Sequence, residues 1–413
     1  MRKKILILGN SAKEYALAQV LSIEYEVFVA PGNDAVSDIA TCVDIRENDS
    51  NELLEFVKNN NIDLTIPVSD IAIKSSIVND FQNNGLNIFA ANNFSSKIIF
   101  DKAYAKKILY KLRIPTPKFG IFEKQNMALE YIKNLKEPYV IKTNEPSSAV
   151  IFTSPKLSKS TIDSMFTVPN QKVIIEDYVY GTPFAFYTIT DGYKALPIGS
   201  SIIYKHSLEG DGGQLTTGMG ACSPNYKLSN AHESYIMDNV IYPTLDFLEI
   251  EGTPYVGILG VNGILTEDGS IKILGYLPFM QHCDCTAILQ LLDCNIIDLM
   301  KSCIIGSFSD EVEYIPQKEF SAVSLVLSST YEKTNNVIAG LDCIDDIFVD
   351  YYNSVRKNKY LEYEANKGSV IVLTAINKTT SKALERIYET AQTLSFQGKS
   401  YRKDIGGLST IIY

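Results

Sequence analysis

Lys4-Ile5-Leu6-Ile7-Leu8-Gly9-Asn10-Ser11-Ala12-Lys13-Glu14 decides how the chain is read. A short apolar run ends on a glycine, a brief polar loop follows, and from Lys13 to Leu21 the apolar residues recur at helical spacing. The alternation continues outward, with strand signals at Val27–Ala30, Asp63–Val68 and Asn87–Ala91 and helical ones at Asn51–Lys58 and Ile71–Phe81. A β-α-β-α-β-α-β order predicts a doubly wound parallel sheet with helices on both faces. Its ligand crevice then lies at the carboxyl ends of the strands, where the loops after Leu8, Ala30 and Val68 meet.

A lysine-rich helix is expected over Asp101–Leu112, stopped by Ile114-Pro115-Thr116-Pro117, since proline cannot continue it. Short β-segments then dominate from Tyr139 to Asn262, with hairpins at Asp191-Gly192 and around Glu267-Asp268-Gly269 and a helix over His232–Leu248. From Glu319 onward strand and helix signals alternate again, ending in the basic cluster Lys399–Lys403. Boundaries are therefore expected near 101 and 319.

The chain has 413 residues, 46% hydrophobic and 21% charged, within the range of folded multidomain proteins and outside that of disordered or fibrous ones. Its 38 basic and 48 acidic side chains argue against a nucleic-acid partner. No apolar run approaches a membrane span, and Ile5–Leu8 is too short for a signal-peptide core. Seven cysteines, an odd number scattered from Cys42 to Cys343, predict reduced thiols and a cytoplasmic protein. Three histidines leave little material for histidine catalysis.

Two loops offer backbone donors to an anion. Gly9–Glu14 joins the first strand to the first helix, with one glycine and a helix N-terminus. Gly210–Pro224 carries five glycines and two threonines and is expected to form an extended loop, with Lys205 and His206 just before it. The plain alternatives are an ordinary turn and a surface loop. The bend Ala30-Pro31-Gly32-Asn33-Asp34 reads as a structural turn.

Taken together, Gly9-Asn10, Glu14, Val27–Asn33, Lys102-Ala103, Ile141-Lys142, Ile175-Glu176, Thr216, Gly218–Ala221, Ser223-Pro224, Tyr242-Pro243-Thr244 and Arg402–Gly406 resemble, in order and spacing, the phosphoribosylamine-glycine ligase family of purine biosynthesis. The resemblance runs nearly end to end. It implies an α/β and α+β multidomain protein: an N-terminal doubly wound domain over 1–100, an ATP-grasp region over 101–318 and a C-terminal α+β domain over 319–413. Within the middle region it implies a small lid over about 117–190 and a central sheet over about 191–318.

The family's activity, ATP-driven joining of glycine to phosphoribosylamine through an acyl phosphate, implies ATP and magnesium as cofactors and those small molecules as partners. By the same resemblance Lys102 and Lys142 face the nucleotide phosphates, and Glu176, Asp177, Tyr178 and Val179 form the hinge along the adenine. The substrate side falls to Gly9, Asn10, Glu14, Gly32, Asn33, Asp70, Lys205, Asp211, Thr216, Gly218, Met219 and Ser223, with Asp70 standing where the family has a glutamate.

Three segments depart from the family's pattern. Its glycine-rich lid loop A-D-G-L-A-A-G-K-G-V is replaced by Thr143-Asn144-Glu145-Pro146-Ser147-Ser148-Ala149-Val150, without glycine or lysine. Gly181 is followed by Thr182-Pro183 rather than a ribose-binding glutamate. The magnesium strand K-V-I-E-F-N-x-R-F-G-D-P-E becomes Lys272-Ile273-Leu274-Gly275-Tyr276-Leu277-Pro278-Phe279-Met280-Gln281-His282-Cys283-Asp284. Glycine, leucine and phenylalanine cannot ligate a hard cation. No residue is assigned to a metal, and zinc at His282-Cys283-Asp284-Cys285 is disfavoured by spacing.

The expectation is a family member with weak or absent turnover. The alternatives are an inactive homologue acting as a ligand-binding or protein-interaction module, and an ATP-grasp ligase with another substrate.

Overall fold

A computed structural model of the chain describes residues 2–136, 138–144, 150–152, 162–167, 171–332 and 335–407. Strands β1 (Lys4–Gly9), β2 (Glu26–Pro31), β3 (Thr41–Cys42) and β4 (Leu64–Pro67) form a parallel sheet in the order β3-β2-β1-β4. Ile5, Leu6, Ile7 and Leu8 are all fully buried, as an apolar run covered by helices on both faces must be. The first helix, Ala12–Leu21, starts where the Glu14 carboxylate folds back to accept the Ser11 backbone N–H at 2.9 Å. Gly9 has φ +141°, and a Cβ there would lie 2.3 Å from Glu14 Oε1, so this turn needs glycine.

Two expectations for this region need correction. Ile71–Phe81 is not one helix but two, Asp70–Lys74 and Ile77–Asn83, because Ser75 leaves the helical region and its hydroxyl bonds back to Ala72 O. Asn87–Ala91 contributes only an isolated bridge from Ile88 to Thr65 rather than a strand.

A small sheet follows, in the order β5-β8-β6-β7, from β5 (Phe119–Phe122), β6 (Tyr139–Lys142), β7 (Val150–Phe152) and β8 (Val173–Asp177). The large sheet begins with β9 (Thr182–Asp191), β10 (Ala195–Leu208), β11 (Gly212–Ser223), β12 (Val256–Leu265) and β13 (Ile271–Leu277). It continues through β14 (Ser321–Ser329), β15 (Phe348–Tyr351) and β18 (Gly368–Asn377), in the order β13-β12-β9-β10-β11-β14-β18-β15. A ribbon of β16 (Val355–Lys357) and β17 (Tyr363–Ala365) stands apart, and β19 (Lys399–Ser400) pairs β14.

Both sequence-predicted hairpins form, β9–β10 at Asp191-Gly192 and β12–β13 at Glu267–Gly269. The segment Gly210–Pro224, expected as an extended loop, is instead mostly strand β11, antiparallel to β10 and β14.

Alternation along β9 shows how the large sheet is sandwiched. Ala185, Tyr187 and Ile189 join the core shared with the N-terminal sheet and with β14 and β18. Phe184 and Phe186 face a second core with Ile236, Val240, Leu245 and Leu248 from the helical stretch Asn230–Ile250.

Candidate functional site

A cavity of about 440 Å³ opens where the small sheet faces the large one. On one side stand Val140 and Lys142 of β6, Asn144, and the segment Glu176–Val179 at the end of β8; on the other are Ile203 and Lys205 of β10, Leu215–Thr217 of β11, Asn262–Ile264 of β12 and Leu274–Leu277 of β13. Residues Ile98–Phe100, Lys102 and Ala105 close one end.

Glu176 organises the cationic side of the cleft. Its Oε1 lies 2.5 Å from Lys142 Nζ and its Oε2 lies 2.7 Å from Lys106 Nζ, all three side chains being buried. Burial alone would raise the Glu176 carboxyl, but the Lys142 and Lys106 ammoniums outweigh it and hold it below the usual carboxylate range. Lys106 is pushed down to about 8, by burial first and by Lys142 second, against the pull of Glu176. Lys106 also donates to Thr116 Oγ1 at 2.7 Å, which donates to Ile273 O at 2.7 Å and so ties β8 to β13. Two ammoniums on one carboxylate leave a surplus positive charge beside the cavity. Lys106 was not singled out from the sequence, although it lies one helical turn after Lys102 in the helix Lys102–Lys111.

Across the cleft, the Nζ of Lys205 has no hydrogen-bond or ion-pair partner among the described residues. Burial lowers its pKa, an effect that Asp284 opposes and Lys142 reinforces. Asp284, on the helix His282–Leu291, accepts from Tyr187 Oη at 2.7 Å and Ser201 Oγ at 2.5 Å. Its burial raises the carboxyl while Ser201, Tyr187 and Lys205 pull it down. Asp284, Lys205, Thr217, Gly218 and Cys283 line a side chamber of about 10 Å³, the room of roughly one water.

All six residues assigned by resemblance to the nucleotide, Lys102, Lys142, Glu176, Asp177, Tyr178 and Val179, line the main cavity. Of the substrate-side set, Asp70, Lys205, Asp211 and Thr216 line it too, and Gly218 lines the side chamber. Asp211 is held by Arg402 at 2.9 Å, which also forks onto Asp404 at 2.7 and 2.6 Å. Arg402, buried inside the predicted basic cluster, thus ties the C-terminal segment to the turn before β11.

The remaining assigned residues lie elsewhere. Met219 and Ser223 are buried in the sheet, Ser223 donating to Ser200 O at 2.8 Å. Gly9, Asn10, Glu14, Gly32 and Asn33 gather at the carboxyl ends of β1 and β2 outside the main cavity. There Asn33 donates to Asn10 O at 2.9 Å, and its Oδ1 accepts from Ala35 and Val36 N–H. Asp70 reaches toward them through Lys13 at 3.6 Å.

The places where the resemblance expects magnesium ligands do face the cavity, as Gly275 and Leu277. With Leu274 and Pro278 they make an apolar stretch of wall at the end of β13, bordered by Asn262, and Ile203 and Leu215 add apolar surface from β10 and β11. Among the described residues no three His, Cys, Asp or Glu side chains are grouped to hold a metal ion. The residues present suit a nucleoside and an anionic group but do not suit magnesium, because a hard cation requires several oxygen ligands around one point and the described carboxylates are not so grouped. His282, Cys283, Asp284 and Cys285 have no shared focus: His282 packs on Tyr352 at 5.1 Å, its pKa lowered to about 3 by burial and by Lys13, and Asp284 bonds Tyr187 and Ser201. In the altered lid loop, Glu145–Ala149 lie outside the described residues.

Comparison with known proteins agrees with this architecture. Models of the phosphoribosylglycinamide synthetase N domain and ATP-grasp (A) domain match residues 3–98 and 100–283. The phosphoribosylamine–glycine ligase of Clostridium acetobutylicum is 28% identical over 416 residues, covering 98% of this chain and 99% of that protein. The one from Neisseria meningitidis serogroup A is 28% identical over 418 residues, covering 97% and 98%.

Among solved structures, phosphoribosylamine–glycine ligase of Thermotoga maritima superposes with a TM-score of 0.82 at 21% identity, covering 97% of this chain and 99% of that one. The biotin carboxylase domain of Hydrogenobacter thermophilus 2-oxoglutarate carboxylase, solved with ADP, its magnesium salt and bicarbonate, gives 0.71 at 12% identity over 97% and 92%. These two likenesses establish the fold. No helix among the described residues is long and apolar enough to cross a membrane, and all seven cysteines are unpaired.

Proposed function

Since the chain belongs to the phosphoribosylglycinamide synthetase family of purine biosynthesis, we propose that its cleft is an adenine-nucleotide site and that the family's ligation of glycine to phosphoribosylamine is weak or lost in this copy. One observation carries the second half: Gly275 and Leu277 face the cavity within an apolar wall, where the resemblance expects the magnesium-binding pair. Removing a single preorganised group of this kind costs about 10²–10³ in turnover, and here the set is replaced together.

The first half rests on the cavity's composition. The hinge Glu176–Val179, apolar surface from Ile98, Val140 and Ile264, and three lysines suit a flat heterocycle ending in an anion. The substrate side is proposed to comprise Lys205, Asp211, Thr216 and Gly218 with Asp70, and the N-terminal cluster of Gly9, Asn10, Glu14, Gly32 and Asn33 to serve it from outside the main cavity. The division at 1–100, 101–318 and 319–413, and a cytoplasmic location supported by seven free thiols, belong to the same reading.

The test is ADP release by the purified protein with ATP, magnesium, glycine and phosphoribosylamine, measured beside the C. acetobutylicum relative. Turnover lower by about a thousandfold or more is expected; turnover within tenfold of the relative's would overturn the reading.

A further inference from the structure

The cavity's wall and its charge together restrict what it can hold. We infer that the cleft takes an adenine nucleotide bearing a single phosphate, bound without a divalent cation, in preference to a magnesium-bound triphosphate. The inference rests on the reading above that the cleft is a nucleotide site.

The wall comes first. Leu274, Leu277 and Pro278 at the end of β13, with Ile203 and Leu215 from β10 and β11 of the same sheet, put apolar surface into the cavity beyond the cationic groups of the small sheet. Phosphate oxygens pressed against such a surface lose water without gaining donors, which costs several kcal/mol per unsatisfied charged group.

Charge comes second. Among the described lining residues, Lys102, Lys142 and Lys205 stand against Asp70, Glu176, Asp177 and Asp211, so carboxylates outnumber ammoniums. Lys106, paired with Glu176 but outside the lining, adds one cation and brings these described charges to four against four. A triphosphate with about four negative charges meets too few cations among these described residues to balance it. One phosphate fits the local arrangement, because cations flank the cleft from two sides. Lys205 presents an ammonium with no other partner among the described residues, and the Lys106–Glu176–Lys142 group contributes its surplus charge from the opposite side. Charge-assisted contacts to one phosphate are then available without a bridging ion.

Titration calorimetry with adenosine, AMP, ADP and ATP, each in EDTA and again in magnesium chloride, tests this. AMP should bind at least tenfold more tightly than ATP in EDTA, and magnesium should tighten ATP by less than threefold. Magnesium tightening ATP tenfold or more, or AMP binding more weakly than ATP in both buffers, would overturn the inference while leaving the nucleotide-site reading intact. If none of the four ligands binds, the nucleotide-site reading itself fails.

Two variants locate the cause. Lys205→Met should lower the ratio of AMP to adenosine affinity about tenfold; an unchanged ratio places the phosphate elsewhere and counts against the inference. Introducing Gly275→Glu together with Leu277→Asn should make ATP binding magnesium-dependent by tenfold or more. A Cβ at 275 meets nothing nearer than Asn262 Oδ1 at 3.6 Å, so the added side chain has room to start. A folded double variant with no magnesium response would show that the wall does not set the preference.

Discussion

Glu176 holds Lys142 and Lys106 at once, and this asymmetry makes the charge of the cleft depend on pH. Below about 8 Lys106 keeps its proton and adds a surplus positive charge to the group; above about 8 Lys106 gives up its proton and the surplus is gone. Affinity for AMP or inorganic phosphate should therefore fall at least threefold between pH 7 and 9.5, a window above the second ionisation of phosphate. Calorimetry at the two pH values measures it, and Lys106→Met, which leaves Glu176 paired with Lys142, should abolish most of the fall. A profile identical in wild type and variant would show that Lys106 does not set the field.

Lys142 and Glu176 were legible in the sequence because they end short strands at positions the family uses. Their ion pair was not, since residues 34 apart meet only once β6 and β8 are side by side. Lys106 was hidden because a lysine in a lysine-rich helix ordinarily reads as solvated surface.

At the scale of elements, β11 is where local composition misled most. Glycine and threonine in Gly210–Ser223 signal a turn or loop, yet most of the segment is strand and Gly220 serves close packing within it. A Cβ on Gly220 would lie 2.8 Å from both Ser324 O of β14 and Ile405 Cδ1. The cause is a strand about a hundred residues away, which no window along the chain contains. Gly220→Ala should accordingly destabilise the protein by about 1–3 kcal/mol, as overpacking against backbone does, seen as a lower urea midpoint at unchanged m-value. A loss below about 0.5 kcal/mol would mean that β11 and β14 can separate at little cost. The β-hairpins, by contrast, were legible because Asp-Gly turns are local devices and their strands are neighbours in sequence.

For the whole molecule, the βαβ order of the first hundred residues announced the parallel sheet. The continuity of the large sheet through β14, β18 and β15 was not visible, because antiparallel neighbours there come from distant segments. That continuity gives one core joining Ile5 and Leu8 of β1, Ile189 of β9, Val323 of β14 and Ile371 of β18, whereas the small sheet rests on its own cluster around Ala128, Ile132, Tyr139, Ile141, Val173 and Ile175.

Opening free energy follows the apolar surface that must be exposed, so the two bodies should differ. Amides of β6 and β8 should exchange with deuterated water at least tenfold faster than those of β1, β9 and β14. The cleft couples them, because Val140, Lys142 and Glu176–Val179 on the small sheet face Lys205, Thr216 and Leu277 on the large one. A ligand at a hundred times its dissociation constant stabilises the closed arrangement by about 2.7 kcal/mol, which would slow exchange in β6 and β8 by roughly a hundredfold. Protection rising equally in β14 would mean that the ligand stabilises the molecule globally. Protection confined to β10–β13 would place the ligand on the large sheet alone and remove Glu176–Val179 from the site.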